Sequence, residues 1–162
     1  MAPRILVLVR HADASHSAMR DEDRPLTGVG RVRARELGAL LAARIGAADL
    51  ALVSPATRAA QSADGIAENL EIARTAPERS LYTSGAGELL AIASALEGTV
   101  VLVGHEPTIS EAGWLLGDDD AREDLRRGVP TATALVVEIP AGTIGLEGAR
   151  LPVERITAPR RP

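Results

Sequence analysis

Two of the three histidines in this chain come at the ends of aliphatic runs. The run ILVLV leads into Arg10 and His11, and the run TVVLV leads into Gly104 and His105. A third run, LALV, leads into the segment SPATR, which ends in Arg58. Imidazoles act as nucleophiles near neutral pH, and guanidiniums bind phosphate oxygens through paired donors. If these side chains meet, they can hold a dianionic phosphoryl group while one imidazole attacks it.

The aliphatic runs predict the strands that must bring these side chains together. Continuous runs of this kind are typical of strands buried on both faces of a parallel sheet. The predicted strands span residues 5–9, 50–53 and 99–103. The predicted helices between and around them run from the N-cap Thr27 to Gly46, from the N-cap Ser54 to residue 70, and over residues 84–96. Alternating strands and helices predict a three-layer α/β/α fold with a mostly parallel central sheet.

We expect ligands to bind at the carboxyl edge of this sheet, as in other open α/β sheets. The residues that should meet there are Arg10, His11, Arg58 and His105. Arg58 falls in the first turn of a predicted helix, where the helix dipole and free N–H groups favour an anion. Cations near His11 would keep its pKa below the usual value of about 6.5 and leave its imidazole neutral at pH 7. Taken singly, either histidine is compatible with a structural role, and it is the set of four that predicts a site.

Composition and charge narrow the class of protein. With 162 residues, of which 46% are hydrophobic, we expect a single domain over residues 1–162. The net charge of −4 argues against nucleic acid as a partner, and the absence of cysteine excludes disulfides and a catalytic thiol. The apolar run at residues 5–9 is too short for a membrane span or a secretion signal, so we expect a cytoplasmic protein. The last third, with TATALVVEI and PVERI, predicts a hairpin at a sheet edge.

Four segments, in this order along the chain, carry a family resemblance. They are LVRHADAS at residues 8–15, DRPLTGVGRVRA at 23–34, SPATRAAQSA at 54–63 and LVGHEPTIS at 102–110. Their combination resembles the histidine phosphatase superfamily. Within it, the sequence resembles the branch of small, SixA-type phosphohistidine phosphatases, which are related to the cofactor-dependent phosphoglycerate mutases. The resemblance therefore implies a phosphoglycerate mutase-like fold.

The resemblance also implies roles for the four candidate residues. His11 would be the nucleophile that becomes a phosphohistidine intermediate. Arg10, Arg58 and His105 would form the phosphate pocket, with the arginines neutralising phosphoryl oxygens and His105 donating a hydrogen bond to one of them. No metal ion or other cofactor is expected, because the side chains themselves supply the positive charge.

Larger members of this family use a carboxylate as general acid, and the resemblance leaves that residue open here. Glu88, in LYTSGAGELL, is the first candidate. Its alternative role is a carboxylate that favours the dipole of the helix in whose first turn it lies. Asp13 and Glu106 are weaker candidates for the acid.

The expected function is a metal-independent phosphatase that removes phosphate from protein phosphohistidine. Short segments between the core elements would leave the pocket uncovered, whereas the larger relatives commonly carry insertions that form a lid over a small substrate. Two alternatives remain open, a phosphatase of a small phosphomonoester and a non-catalytic phosphate-binding module. We expect the partner to be a phosphorylated protein or a small phosphate ester, with neither nucleic acid nor membrane involved, and the protein to be a monomer.

Overall fold

A six-stranded β-sheet is the centre of the fold in the computed structural model, which describes residues 2–160. In chain order the strands are β1 (Arg4–Arg10), β2 (Ala47–Ala48), β3 (Leu50–Val53), β4 (Glu71–Ile72), β5 (Thr75–Pro77), β6 (Thr99–Gly104), β7 (Thr133–Ile139) and β8 (Glu154–Thr157). The helices are α1 (Gly28–Ile45), α2 (Thr57–Ala67), α3 (Ser80–Thr83), α4 (Ala86–Ser94), α5 (Thr108–Leu116) and α6 (Asp119–Leu125). A short 3-10 helix, Asp21–Asp23, lies between β1 and α1.

The strands of the main sheet are arranged in the order β5-β3-β6-β1-β7-β8. Strands β5, β3, β6 and β1 pair in parallel, and β7 pairs antiparallel with both β1 and β8. Strands β2 and β4 form a separate parallel pair. The prediction of a mostly parallel sheet is confirmed. The predicted hairpin is confirmed as well, with β8 as the edge strand.

The two faces of the sheet carry different aliphatic side chains. On β1, Val7 and Val9 belong to the buried cluster that includes residues of α1 and α2. Leu6 and Leu8 belong to the cluster on the other face, which includes residues of α4 and α5. Successive strand residues point to opposite faces, so the alternation of valine and leucine builds one core on each side. The predicted three-layer α/β/α arrangement is therefore confirmed.

Helix boundaries follow the predictions where local capping decides them. Thr27 caps α1 through its hydroxyl, and Gly46 ends that helix with a φ of 81°. The prediction for Ser54 is wrong, because α2 begins at Thr57 and its N-cap is Ala56. Helix α4 starts and ends two residues inside its predicted bounds.

Within the part of the chain that the structure describes, no helix combines the length and the apolar character that a membrane span requires.

Helices α1 and α2 approach each other closely at two glycines. A Cβ atom added at Gly38 would collide with the carbonyl oxygen of Ile66, and one added at Gly65 would lie 2.7 Å from the Cβ of Ala34. A backbone carbonyl in a packed helix does not move aside as the end of a flexible side chain does. The docking of α2, the helix that carries Arg58, therefore depends on the absence of a side chain at these two positions.

Replacing Gly38 by alanine should destabilise the protein, although alanine is the better helix former. The collision with α2 outweighs the helix-propensity gain of about 1 kcal/mol, so we expect Gly38→Ala to lower the free energy of unfolding by about 1 kcal/mol or more. Urea unfolding followed by circular dichroism measures this change. Gly28→Ala is the control, because a Cβ there meets nothing within 4 Å. Equal stability of Gly38→Ala and the wild type would contradict the close approach.

Candidate active site

His11, Ser54 and His105 come directly after β1, β3 and β6, at the same edge of the sheet. The His11 N–H donates to the Gly104 carbonyl at 3.1 Å, and the Ser54 N–H donates to the Val103 carbonyl at 3.0 Å. The imidazole rings of His11 and His105 lie 5.3 Å apart between centroids. The structure thus brings together the two histidines that the sequence places at strand ends.

The imidazole of His11 is buried and held by its own backbone. Its Nδ1 lies 2.7 Å from the Ala12 carbonyl oxygen, and the residue is 7% exposed. A carbonyl oxygen only accepts hydrogen bonds, so Nδ1 carries the ring hydrogen and Nε2 keeps a free lone pair. Burial lowers the pKa of His11 to about 4, and the charges of Arg58 and Arg10 act in the same direction. At pH 7 the ring is therefore neutral and Nε2 is nucleophilic.

The ring of His105 is oriented by Ser54. Its Nε2 lies 2.8 Å from the Ser54 hydroxyl oxygen, which also accepts a hydrogen bond from the Ala56 N–H at 3.3 Å. Since the buried Ser54 oxygen already accepts from the Ala56 N–H, we assign its hydroxyl as the donor to Nε2, which places the hydrogen of the neutral ring on Nδ1. That Nδ1 is buried without a partner among residues 2–160. Burial, followed by the charge of His11, lowers the pKa of His105 to about 3.

Arg10 and Arg58 each have a buried Nε donor without a partner among residues 2–160. Arg10 donates from Nη1 to the Val129 carbonyl at 2.7 Å, and Arg58 donates from its two Nη atoms to Asp21 at 2.7 and 3.0 Å. The Nε atoms of both arginines are buried, and the described part of the chain offers them no hydrogen-bond partner. Buried donors are normally paired, so this set, together with Nδ1 of His105, suits an anionic ligand.

Ser62 joins the end of β1 to helix α2. Its hydroxyl accepts a hydrogen bond from the Ala12 N–H at 2.9 Å and donates to the Arg58 carbonyl at 2.7 Å. The backbone next to His11 is thereby tied to the first turn of α2. Sequence reasoning missed Ser62, although its place four residues after Arg58 is the spacing at which a serine bonds back to its own helix.

The segment between β1 and α1 contacts Arg58 through Asp21. The Asp21 carboxylate accepts hydrogen bonds from Arg58 Nη2 at 3.0 Å, from the Tyr82 hydroxyl at 2.8 Å and from Arg24 Nη1 at 3.1 Å. Tyr82 belongs to α3, and its ring centroid lies 5.5 Å from that of His105. Sequence reasoning missed both Asp21 and Tyr82, because neither belongs to a motif whose spacing indicates a contact.

The three carboxylates considered for the general acid have different surroundings. Asp13 pairs with Arg33 at 2.6 Å, and Glu106 accepts hydrogen bonds from the backbone and hydroxyl of Ser110. Glu88 is exposed in the first turn of α4 and makes no hydrogen bond or ion pair within residues 2–160. Its role as the acid stays a prediction.

Within residues 2–160, no group of three or more His, Cys, Asp or Glu residues is arranged to hold a metal ion.

Comparisons with known proteins show which family and which solved structures this chain is similar to. The model of the histidine phosphatase superfamily (branch 1) matches residues 6–81. A structure assigned as phosphohistidine phosphatase SixA from Nakamurella multipartitia is 30% identical with a TM-score of 0.77, and the match covers 99% of this chain and 97% of that one. No curated protein matches.

Two further solved structures share the fold at lower identity. The protein histidine phosphatase SixA complexed with tungstate is 21% identical with a TM-score of 0.78, and the match covers 95% of this chain and 97% of that one. Phosphoglycerate mutase from Plasmodium falciparum is 13% identical with a TM-score of 0.65, and the match covers 100% of this chain and 96% of that one. The prediction of a phosphoglycerate mutase-like fold is confirmed.

We expect both site histidines to stay neutral well below the usual range of the residue. Burial and the surrounding positive charges oppose protonation, so the imidazole of His11 should titrate at about 4 and that of His105 at about 3. An NMR titration of the ligand-free protein measures both pKa values. Titration of either ring near the ordinary value of about 6.5 would contradict the buried, cation-lined site.

Replacing Ser54 by alanine should allow His105 to populate both of its neutral tautomers. Without the hydroxyl, a neutral His105 can carry its hydrogen on either ring nitrogen, whereas the wild type should hold it on Nδ1. Imidazole ¹⁵N chemical shifts distinguish the two forms. His11 is the internal control, because the Ala12 carbonyl still fixes its tautomer in the variant. A wild-type His105 with its hydrogen on Nε2 would show that Ser54 accepts rather than donates.

Proposed function

Because the chain belongs to the histidine phosphatase superfamily, we propose that it is a phosphatase that removes phosphate from phosphohistidine in another protein, with His11 as nucleophile. One observation carries this proposal. The ring of neutral His11 lies 5.3 Å from that of His105 between centroids, and the charges of Arg10 and Arg58 act on it, while each of these three residues has a buried nitrogen without a partner among residues 2–160. This arrangement suits attack by His11 on an anionic phosphoryl group. The proposal treats residues 1–162 as a single catalytic domain.

In the first step, the Nε2 lone pair of His11 attacks phosphorus, and the bond from phosphorus to the substrate's imidazole nitrogen breaks. The electron pair of that bond stays with the leaving imidazole, whose other nitrogen has taken a proton from solvent, so that it leaves neutral. Nδ1 of His11 keeps its hydrogen throughout and donates it to the Ala12 carbonyl oxygen. The intermediate is therefore a phosphorylated imidazolium, in which the carbonyl stabilises the positive ring.

In the second step, water attacks the phosphorus of the intermediate, and the bond to Nε2 of His11 breaks. Its electron pair returns to Nε2, the proton of water passes to solvent, and inorganic phosphate leaves. Donors from Arg10, Arg58 and His105 stabilise the phosphoryl oxygens in both transition states. Each preorganised donor of this kind contributes about 3 kcal/mol.

The surroundings of the carboxylates support phosphohistidine over an alkyl phosphate as substrate. An alkoxide needs a side chain as proton donor to leave, whereas the second nitrogen of an imidazole, with a reference pKa of about 6.5, can take its proton from solvent. Asp13 is engaged in an ion pair and Glu106 in hydrogen bonds, and the exposed Glu88 makes no hydrogen bond or ion pair with a site residue within residues 2–160. The connections at residues 54–56 and 105–107 are also short, which favours access by a side chain on another protein.

The test is phosphate release, with a metal chelator present, from a phosphohistidine-bearing protein and from a panel of small phosphate esters. We expect release from the protein by the wild type and none above background by His11→Ala. His16→Ala is the matched control, since this exposed histidine lies in the same connection. Rapid quenching of the wild-type reaction should trap phosphate on His11.

Other results would change the assignment in defined ways. A folded His11→Ala variant with the wild-type rate would rule out the nucleophile. Preference for one small ester would keep the nucleophile and replace the substrate. Phosphate binding without turnover of any substrate would identify a phosphate-binding module.

A further inference from the structure

Asp21 contacts Arg58 with both its carboxylate and its backbone. Arg58 Nη2 donates to the Asp21 carboxylate at 3.0 Å, and Arg58 Nη1 donates to the Asp21 carbonyl at 2.7 Å. The Tyr82 hydroxyl and Arg24 Nη1 also donate to this carboxylate, at 2.8 and 3.1 Å. The Asp21 side chain is half-exposed, whereas that of Arg58 is 7% exposed. The half-exposed carboxylate of Asp21 thus fixes the orientation of the buried Arg58 guanidinium.

The contacts of Asp21 use only one edge of the guanidinium. A guanidinium offers one forked edge formed by Nη1 and Nη2 and another formed by Nη2 and Nε, and either can bind an oxyanion through two parallel bonds. Asp21 occupies the first edge. Nε, on the second edge, is buried and has no partner within residues 2–160. The orientation of Arg58 therefore keeps a donor edge available for a second anion.

We propose, on the basis of the function proposed above, that Asp21 is a positioning residue that presents the Nε edge of Arg58 to the phosphoryl group at His11. The carboxylate does not have to leave when substrate binds, because the two anions use different edges of the same guanidinium. Tyr82 supports this role, since its hydroxyl holds the carboxylate while its ring packs edge-on against His105 at 5.5 Å.

The charge of Asp21 fits this role. The Tyr82 hydroxyl, together with the guanidiniums of Arg58 and Arg24, holds the pKa of Asp21 well below its usual range. The carboxylate is therefore ionised wherever the site is active. Its negative charge also raises the pKa of His105, against the stronger lowering by burial. Asp21 thus offsets part of the positive charge that the phosphate pocket concentrates in the absence of substrate.

The test uses tungstate as the probe and combines Asp21→Asn with Arg58→Ala in a double-mutant cycle. Asp21→Asn keeps the shape of the side chain and removes the charge that holds Arg58. We expect tungstate affinity and kcat/KM for the phosphohistidine protein to fall about tenfold. This is the effect of losing one charge-assisted hydrogen bond from Arg58 to the anion, once Asp21 no longer orients the guanidinium. In the Arg58→Ala background, Asp21→Asn should have no further effect, because Asp21 acts through Arg58.

Two further variants sharpen the test. Tyr82→Phe removes only the hydroxyl and should weaken tungstate binding in the same direction, by less. Asp23→Asn is the matched control, because Asp23 belongs to the same 3-10 helix and is exposed, and its one ion pair within residues 2–160 is with Arg20 at 3.8 Å. Its tungstate affinity should equal that of the wild type.

Three outcomes would overturn the inference. Tighter tungstate binding by Asp21→Asn would mean that the carboxylate competes with the phosphoryl group for Arg58. An equal loss in the Arg58→Ala background would mean that Asp21 acts on the fold and not through Arg58. Unchanged affinity in Asp21→Asn, beside a wild type that binds tungstate, would remove Asp21 from the site. A wild type that neither binds tungstate nor releases phosphate would instead refute the proposed function.

Discussion

The parallel pairing of β1 with β6 is the constraint on which the candidate site depends. Arg10 lies opposite Gly104 in this register, so both strands end at the same level and His11 meets His105 although the two are far apart in the chain. On the other side of β1, the Ala132 N–H donates to the His11 carbonyl at 3.0 Å, so both neighbouring segments hold the backbone of His11. A slip of one residue would turn every side chain of the strand to the opposite face and separate the pair.

Two imidazoles and two guanidiniums at one edge of the sheet would repel one another if all four were charged. This repulsion is limited because both imidazoles are neutral at pH 7. The pKa values of His11 and His105 are about 4 and about 3 in the folded protein, below those of the unfolded chain. The unfolded chain consequently binds more protons as the pH falls below about 6.5, and stability declines from there toward the two folded values. The same burial that leaves His11 nucleophilic therefore ties the stability of the fold to neutral or higher pH.

The amino-acid sequence predicts those parts of the molecule that local rules decide. Aliphatic runs mark the three central strands, and Thr27 and Gly46 bound α1 as their capping preferences predict. Ser54 shows where local rules stop, because its hydroxyl binds His105, from another strand, instead of capping α2. The contacts of Asp21 were not predictable for the same reason, since they arise only when the 3-10 helix meets Arg58 of α2 and Tyr82 of α3. The residue types of the site follow from the sequence, whereas the partners that orient them follow from the tertiary structure.

The Ser62 hydroxyl has a consequence for how the protein loses activity on heating. It links α2, which carries Arg58, to the backbone beside His11, and the rest of that helix docks through the close glycine contacts with α1. Helices at the surface of a sheet open locally at a lower free energy than its central strands. If α2 undocks, Arg58 moves away from His11, which β1 and β6 still hold in place. The population of molecules with a complete pocket is then set by a local equilibrium, and inactivation precedes global melting.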